Sequence, residues 1–527
     1  MRNRSNRIVV ILAGCLLLCT AACRAVESAP QNPPAPSEAP VAEIVVMPEP
    51  TIEPTAAPTP VAVNGCVAEN GVLRVVADAD DFALIEQIPD LRVLDVSGSG
   101  CYDAILAYRN AHPGVTVLYS VAIGNSAIAS DAETATVPRV PNPALLSYLP
   151  ALKALNVTEP MTPGEAAALR AALPDALLSY SVSFAGLTVS SDAPALDLSG
   201  VSPALSAEIA EGLAALPNVL NVELNRSDGT SGWTLSDAGV LQAVRPSLRV
   251  DLNITAFDRT FSLTDDVIDL NRVRMDEERK AELLALLPYL RSAGRLDMEY
   301  SGLSDEEMAA LREQFPSPKI VWRIRAGKYS CRTDAIMIRF SVHRDDMTLH
   351  ARDVRSLIYC NEIRYLDLGH NDIQDPYFVA CMPDLEVCIL AAGQPTDLSA
   401  FANCTHLEYA EFFTGKISDL SPLRNCTELR HLNLCGNHIT DITPLYGLTH
   451  LERLWISNNK IPQEQIDRFK ELVPDCVVVT EGRDPTGNGW RNDPSRESTY
   501  AERYELLRKQ FCYDTNVNTY SVPPDSR

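Results

Sequence analysis

The sequence predicts an α/β solenoid. A curved parallel sheet of stacked repeats follows longer, diverged α/β repeats, and a disordered N-terminal linker precedes both. Three observations carry this reading. Apolar residues recur every 22 positions at Ile363, Leu385, Leu407, Leu429 and Leu451. Two further apolar columns keep the same register: Leu366, Cys388, Ala410, Leu432, Leu454 and Leu368, Leu390, Phe412, Leu434, Ile456. An aspartate returns at Asp375, Asp397, Asp419 and Asp441. Upstream, helical stretches ending in proline alternate with short alternating strands at a longer period. Self-similarity at a fixed period marks a repeat architecture.

Residues 1–22 read as a targeting segment rather than fold. Arg2, Arg4 and Arg7 precede an apolar run, Ile8 to Cys19, too short to span a bilayer. The run ends in "TAAC", Thr20 to Cys23, which resembles a bacterial lipoprotein signal. That resemblance implies lipidation of Cys23 and an exported, membrane-anchored protein facing the extracellular side of a bacterial envelope. "LAGC", Leu12 to Cys15, also fits such a box but leaves a shorter apolar run; a plain secretory signal is a further alternative. Residues 23–65 form a linker, with ten prolines between Pro30 and Pro60. Such a stretch favours extended polyproline II and, at about 3.1 Å per residue, reaches on the order of 100 Å.

Residues 66–345 read as diverged α/β repeats. "HPGVTVLYSV", "LPDALLSYSV", "RPSLRVDLNI" and "FPSPKIVWRI" each place a proline (Pro113, Pro174, Pro246, Pro316) between a helix and a strand. Pro89, Pro150, Pro217 and Pro288 mark a second set. Each unit is expected to run strand, helix, strand, strand, helix. The units either continue into the later repeats as one solenoid or form a separate α/β domain.

Residues 346–480 hold the regular repeats and a C-terminal cap. L-x-L alternation makes a short strand with one buried face, and stacked rungs bury it. Asn371, Asn437 and Asn459 are expected to turn their amides inward onto the backbone. The aspartates are expected to cap the following turn. This pattern resembles the leucine-rich repeat family in its 22-residue, internalin-like bacterial form, over Ile363 to Ile461. Gly393 and Gly415 replace the expected asparagine, which predicts a looser ladder there. Cys360, Cys404 and Cys426 share a column with Met382 and Leu448 and read as core thiols. Residues 481–527 form a tail with a short amphipathic helix, expected to dock Trp490, Tyr504, Leu507 and Phe511 on the cap.

The net charge is −24, which argues against nucleic acid and anionic lipid as electrostatic partners. Among 14 cysteines there is no C-x-x-C pair, so metal chemistry has little support; Cys66 and Cys101 are the candidate disulfide. Nucleophile-elbow, zinc-protease, P-loop and dinucleotide motifs are missing from the sequence, and no catalytic residue, cofactor or metal is assigned. The expected working part is the concave face, with Tyr365, Tyr409, Phe413, His431, Arg453 and Trp455 as contacts, because Tyr, Trp and Arg on a rigid sheet suit an interface. The expected function is non-catalytic binding of a protein partner. The alternatives are a cell-envelope glycan, or an enzyme with its site hidden in 66–345.

Overall fold

The computed structural model describes residues 60–341, 348–493, 495, 500–515 and 517–523. The targeting segment, the lipidation candidate Cys23 and most of the linker lie outside them. The folded unit begins at Val61. Its first element is a hairpin, Ala62–Val63 with Cys66–Val67, which starts inside the stretch read as linker.

Four long units follow, each opening on a three-stranded parallel sheet. In the third unit the strands are Ala195–Asp197, Asn221–Glu223 and Arg249–Asp251. Leu196, Val222 and Val250 pair in one row, and all three are buried. The helices Ser206–Ala214 and Leu235–Gln242 connect them and pack on each other. Capping boxes start the second helix in three of the units: Thr162 with Glu165, Thr234 with Asp237, and Ser304 with Glu307. In each, the hydroxyl accepts from the third backbone N–H while the acid accepts from the cap's own.

A hairpin closes every unit, and this changes the expected order of elements. Ser120–Ile123 pairs with Ser126–Ala129, Ser181–Phe184 with Leu187–Ser190, Asn253–Ala256 with Arg259–Ser262, and Arg323–Ala326 with Tyr329–Arg332. The sequence reading missed these antiparallel turns. Two-residue turns reverse the chain, with left-handed φ at Ala185 and Gly186 and at Phe257 and Asp258. Two successive residues with positive φ match the right-handed strand twist, the geometry of a tight hairpin. The hairpins separate the parallel sheets from one another. The apolar core is nevertheless continuous, running from Val63 to Cys476.

The 22-residue repeats form the largest sheet. Seven parallel strands run in sequence order: Met337–Arg339, Tyr365–Asp367, Val387–Ile389, Tyr409–Glu411, His431–Asn433, Arg453–Trp455 and Val477–Val479. The first lies inside the stretch assigned to the long units. Leu366, Cys388, Ala410, Leu432 and Leu454 pair rung to rung and are fully buried. The asparagine ladder forms as expected. Asn437 donates to Phe412 O and Leu434 O at 2.9 Å and accepts from Ile417 N at 3.0 Å. Asn371 and Asn459 repeat the pattern. Asp397, Asp419 and Asp441 accept from Ser399 N, Ser421 N and Thr443 N at 2.7–2.9 Å, a side-chain turn that leads into each short helical turn; the N-cap positions expected to hold the aspartates are instead Leu398, Leu420 and Ile442. Gly415 does not loosen the ladder. A Cβ there would stand 2.6 Å from Asn437 Oδ1, so glycine gives the neighbouring asparagine its room.

Cys360, Cys404 and Cys426 are buried, as are Met382 and Leu448. Burial pushes the Cys404 and Cys426 thiols up to about 12. Cys66 and Cys101, expected to pair, are both free thiols. Cys101 sits at the start of helix Tyr102–Ala111 with its sulfur turned onto Ala77 O, 3.3 Å away. The helix Gln463–Leu472 buries Ile466 and Phe469 and leads into the last parallel strand.

Candidate functional site

Each sheet strand turns its middle residue into the core. Its first and third residues form two columns on the opposite, outward face. From residue 365 to 455 these columns hold the contacts expected from the sequence, but the structure does not leave them free. Tyr409 is 0 %, Trp455 2 %, Phe413 5 % and His431 7 % exposed; Tyr365 and Arg453 are half-buried. The C-terminal segment lies over them. Trp490, Tyr504, Leu507 and Phe511 form a second apolar cluster with Met337, Val387, Ile389, Tyr409, Phe413 and Trp455. The tail therefore docks on the strand face rather than on the cap. The helix Glu502–Gln510 belongs to this cover, and Thr519–Ser521 pairs antiparallel with Met337–Arg339.

The polar residues of this face are spent on the cover. Trp490 packs between Tyr409 and Trp455, with ring centroids 5.3 and 5.2 Å away. The Arg453 guanidinium lies 4.7 Å from the Trp490 ring and donates to Gly489 O and Trp490 O at 3.0 and 3.1 Å. Trp455 Nε1 donates to Gly487 O at 3.2 Å, and Asn433 Nδ2 to Pro485 O at 2.8 Å. The fully buried Glu411 accepts from Tyr409 Oη at 2.5 Å and Trp490 Nε1 at 2.7 Å, and pairs with Arg491. Burial works against the Arg491 cation, but Glu411 outweighs it and raises the guanidinium pKa. At the other end, Arg339 donates to Phe511 O, Cys512 O and Thr515 O, at the C-terminal end of the tail helix. Asp367 accepts from Ser341, Gly369 N and Tyr513 at 2.7–3.0 Å, and burial raises its carboxyl.

His431 makes this cover sensitive to acid. Its Nδ1 accepts from Arg453 Nε at 3.1 Å, so the ring is neutral. Burial, then Arg453, Arg503 and Arg430, lower its pKa to about 3; Glu452 stands 3.8 Å off and the Tyr409 ring 5.8 Å. The folded value lies below the ordinary one. Stability is therefore intact above about pH 6.5 and lost as pH falls from there toward 3. Asp367, with its raised carboxyl, works in the opposite sense. A loss of roughly 1–2 kcal/mol by pH 5 is expected from His431. Denaturant unfolding at several pH values checks this: His431→Gln, which keeps an acceptor for Arg453 but cannot protonate, should flatten the slope.

Upstream, the outward face is open. Arg74, Asp95, Thr136, Asn156, Asp197, Glu223, Asp251 and Asp269 occupy the third strand position and are half-buried or exposed. Asp197, Glu223 and Asp251 pair directly across three strands, beside an open concavity of about 860 Å³ that Asp265 also lines. Cover resumes at Asp297, where Arg295, Arg332, Glu299 and Arg323 form a buried ion-pair network and Arg323 donates to Tyr520 at 2.8 Å. The acidic third position went unread in the sequence. Its signal is a recurring acid before a turn, in "LDLSG", "VELNR", "VDLN" and "IDLNR". The acid has a local role: Asp95, Asp197, Glu223 and Asp269 each accept the backbone N–H two residues on, at 2.7–3.1 Å. No group of three or more His, Cys, Asp or Glu suited to a metal ion exists among the described residues. No helix among them is long and apolar enough to cross a membrane.

The family model for leucine-rich repeats, in two copies, matches residues 427–471. These residues are leucine-rich repeats. The strand register, the asparagine ladder and the aspartate turns extend the same construction upstream to Met337, so the fold is an α/β leucine-rich-repeat solenoid. No curated protein matches the chain. Among solved structures, the chain is similar to internalin C2 of Listeria monocytogenes, with 16% identity over 50% of this chain and 83% of that one and a TM-score of 0.23. A second Listeria monocytogenes internalin, inlF, has 16% identity over 72% and 88%, with a TM-score of 0.25. A leucine-rich-repeat protein of Leptospira interrogans has 14% identity over 77% and 93%, with a TM-score of 0.24.

Proposed function

We propose that this leucine-rich-repeat protein is an exported, lipid-anchored, non-catalytic binder of a protein partner, and that its working face lies upstream of the 22-residue repeats. One observation carries the reading: the outward face is covered by the chain's own C-terminal segment over the strands from Met337–Arg339 to Arg453–Trp455 and closed by a buried ion-pair network at Asp297, but is open from Val72 to Asp269. The open part carries Asp197, Glu223 and Asp251 in one row, flanked by Asp95 and Asp269, which pair with Arg74 and Arg259, so the partner it suits presents basic residues to that row. A glycan is less well served. Sugar rings stack on exposed aromatics; all four tryptophans, Trp233, Trp322, Trp455 and Trp490, are buried, and the exposed tyrosines Tyr300, Tyr377 and Tyr500 lie outside the open stretch.

The test is capture from envelope fractions by the purified chain, with protein and glycan read out separately. The triple variant Asp197→Asn, Glu223→Gln, Asp269→Asn keeps the turn acceptors and removes three charges. Its capture should fall about tenfold at low salt and less at high salt, since steering charges act mainly on association. Unchanged capture, or capture of glycan alone, would remove the reading. The anchor has its own arm: Cys23→Ser should release the protein from membranes, whereas retention of Cys23→Ser with its lipid intact would move the site elsewhere.

A further inference from the structure

We propose that a cationic notch at Tyr300 and Arg325 takes an acidic side chain of the partner, spaced along the partner from the basic residues that meet the acidic row. This deepens the binding reading above and rests on it. The notch, of about 200 Å³, borders the open stretch on its downstream side. Tyr300, Ser301, Arg323, Arg325 and Ser330 line it, over a floor of Met308 and Trp322. No Asp or Glu lines it, although the chain holds 69 acids against 45 Lys and Arg. Tyr300 follows the strand Arg295–Asp297 by three residues and is 63 % exposed. Arg323 and Arg325 stand two apart on one strand of the last hairpin, so both face the notch.

The two arginines differ in what they already hold. Arg323 pairs with Glu299, donates to Tyr520 at 2.8 Å and lies 5.6 Å from the Tyr300 ring. It belongs to a network in which Asp297, Glu299 and Asp334 face Arg295, Arg323 and Arg332. Three acids match three bases there, so the network presents no surplus charge. Arg325 stands outside it. Its side chain is exposed and, among the described residues, has neither an ion pair nor a hydrogen bond. Arg274 is exposed and unpaired among them too. Its Cγ lies 3.8 Å from the point where a Cβ on Gly302 would stand, and Gly302 forms part of the notch wall.

A carboxylate suits this arrangement. A guanidinium offers it two parallel N–H donors. The Tyr300 and Ser330 hydroxyls add donors, and the Tyr300 ring packs the methylenes behind the charge. An exposed ion pair is weak alone, because water and salt screen it. It gains weight when a second contact holds the ligand nearby. The row Asp197, Glu223 and Asp251 supplies that contact, and both sites lie at the C-terminal ends of the strands. Onward from Glu223 the chain lays down Arg249–Asp251, Val267–Asp269 and Arg295–Asp297. At about 4.8 Å for each strand, plus the hairpin break, the notch stands roughly 15–20 Å from Glu223. About six extended residues span that distance. The partner's surface therefore carries both signs, basic residues first and an acid beyond them. That order sets which way the partner lies along the solenoid, and it disfavours a partner that is basic throughout.

The test titrates the full chain at low salt with a synthetic peptide. The probe is a run of four lysines flanked on each side by a six-residue Gly/Ser spacer and a glutamate, with blocked ends. Its control carries glutamine in place of both glutamates. On a chain of net charge −24 the added acids should weaken binding through the general field. The expected result is the opposite: the glutamate probe binds about fivefold tighter than the control. In the double variant Arg274→Gln, Arg325→Gln that advantage should vanish, while the control binds no more weakly than before. Both side chains are exposed, so the variant should melt with the wild type. A glutamate probe that binds the wild type no tighter than the control, or that keeps its advantage in the double variant, would overturn the proposal and leave the acidic row in place. The triple variant Asp197→Asn, Glu223→Gln, Asp269→Asn should weaken both probes. If neither probe binds the wild type, the reading of the acidic row fails, and the notch proposal fails with it.

Discussion

Leu432→Asp should unfold the 22-residue repeats. Leu432 is fully buried, and its rung neighbours Ala410 and Leu454 are too. The substitution removes a leucine side chain from a close-packed column, a change that costs about 2–5 kcal/mol for truncation alone. It also places a carboxyl among apolar side chains with no donor aimed at it, which adds several kcal/mol, so roughly 5 kcal/mol or more is expected. Each rung is stabilised by its neighbours, so the damage spreads along the stack rather than staying at one strand. Leu432→Met conserves volume and should cost about 1 kcal/mol or less. Circular dichroism melts of the two variants check this. A Leu432→Asp curve that overlays the wild type would mean the side chain does not face the core.

Trp490→Ala should detach the C-terminal cover while the stack beneath it stays folded. Trp490 is fully buried between Tyr409, Trp455 and the Arg453 cation, and its Nε1 is one of the donors that hold Glu411. Truncating a buried tryptophan costs about 3–5 kcal/mol. Glu411 also loses a donor in a site closed to water, and a buried acceptor left short of partners adds about 1–3 kcal/mol. Gly487, Gly489 and Pro485 attach through backbone carbonyls alone, which leaves the Arg491–Glu411 pair as the other side-chain anchor at this end. Limited proteolysis should cut the variant within residues 481–500, and a soluble quencher should reach Trp455. An unchanged cleavage pattern would mean that the tail is held chiefly at its far end, by Arg339, Tyr513 and the strand Thr519–Ser521. The same geometry reverses an expectation about Tyr409→Ala with Trp455→Ala. As free contacts these residues would cost only binding. As the floor of the cover they should cost stability.

The stack is written in the repeat. Strand positions, the inward columns, the asparagine ladder and the aspartate turns depend on contacts within a rung or between rungs 22 residues apart, and that spacing repeats. Each column could be read because several rungs vote for it: Leu366, Leu432 and Leu454 leave little doubt about Ala410. The hairpins of the long units were legible only in part. "FAGL" carries a turn signal, but "AFDR" puts a phenylalanine at positive φ, where local preference argues against it.

Which part of the outward face is covered could be read only from the packing of distant segments. Tyr409, Trp455 and His431 occupy outward positions, and outward in a repeat means exposed unless something distant covers it. The cover comes from a segment with no repeat of its own. Trp490 meets Glu411 across 79 positions, and Arg339 meets Cys512 across 173. No periodicity links such pairs. Their contact depends on the tail finding a site whose apolar floor, buried acid and opposed arginines already match it. Strand pairing is dictated locally and copied rung by rung, whereas the docking of the tail is a single event of packing and charge.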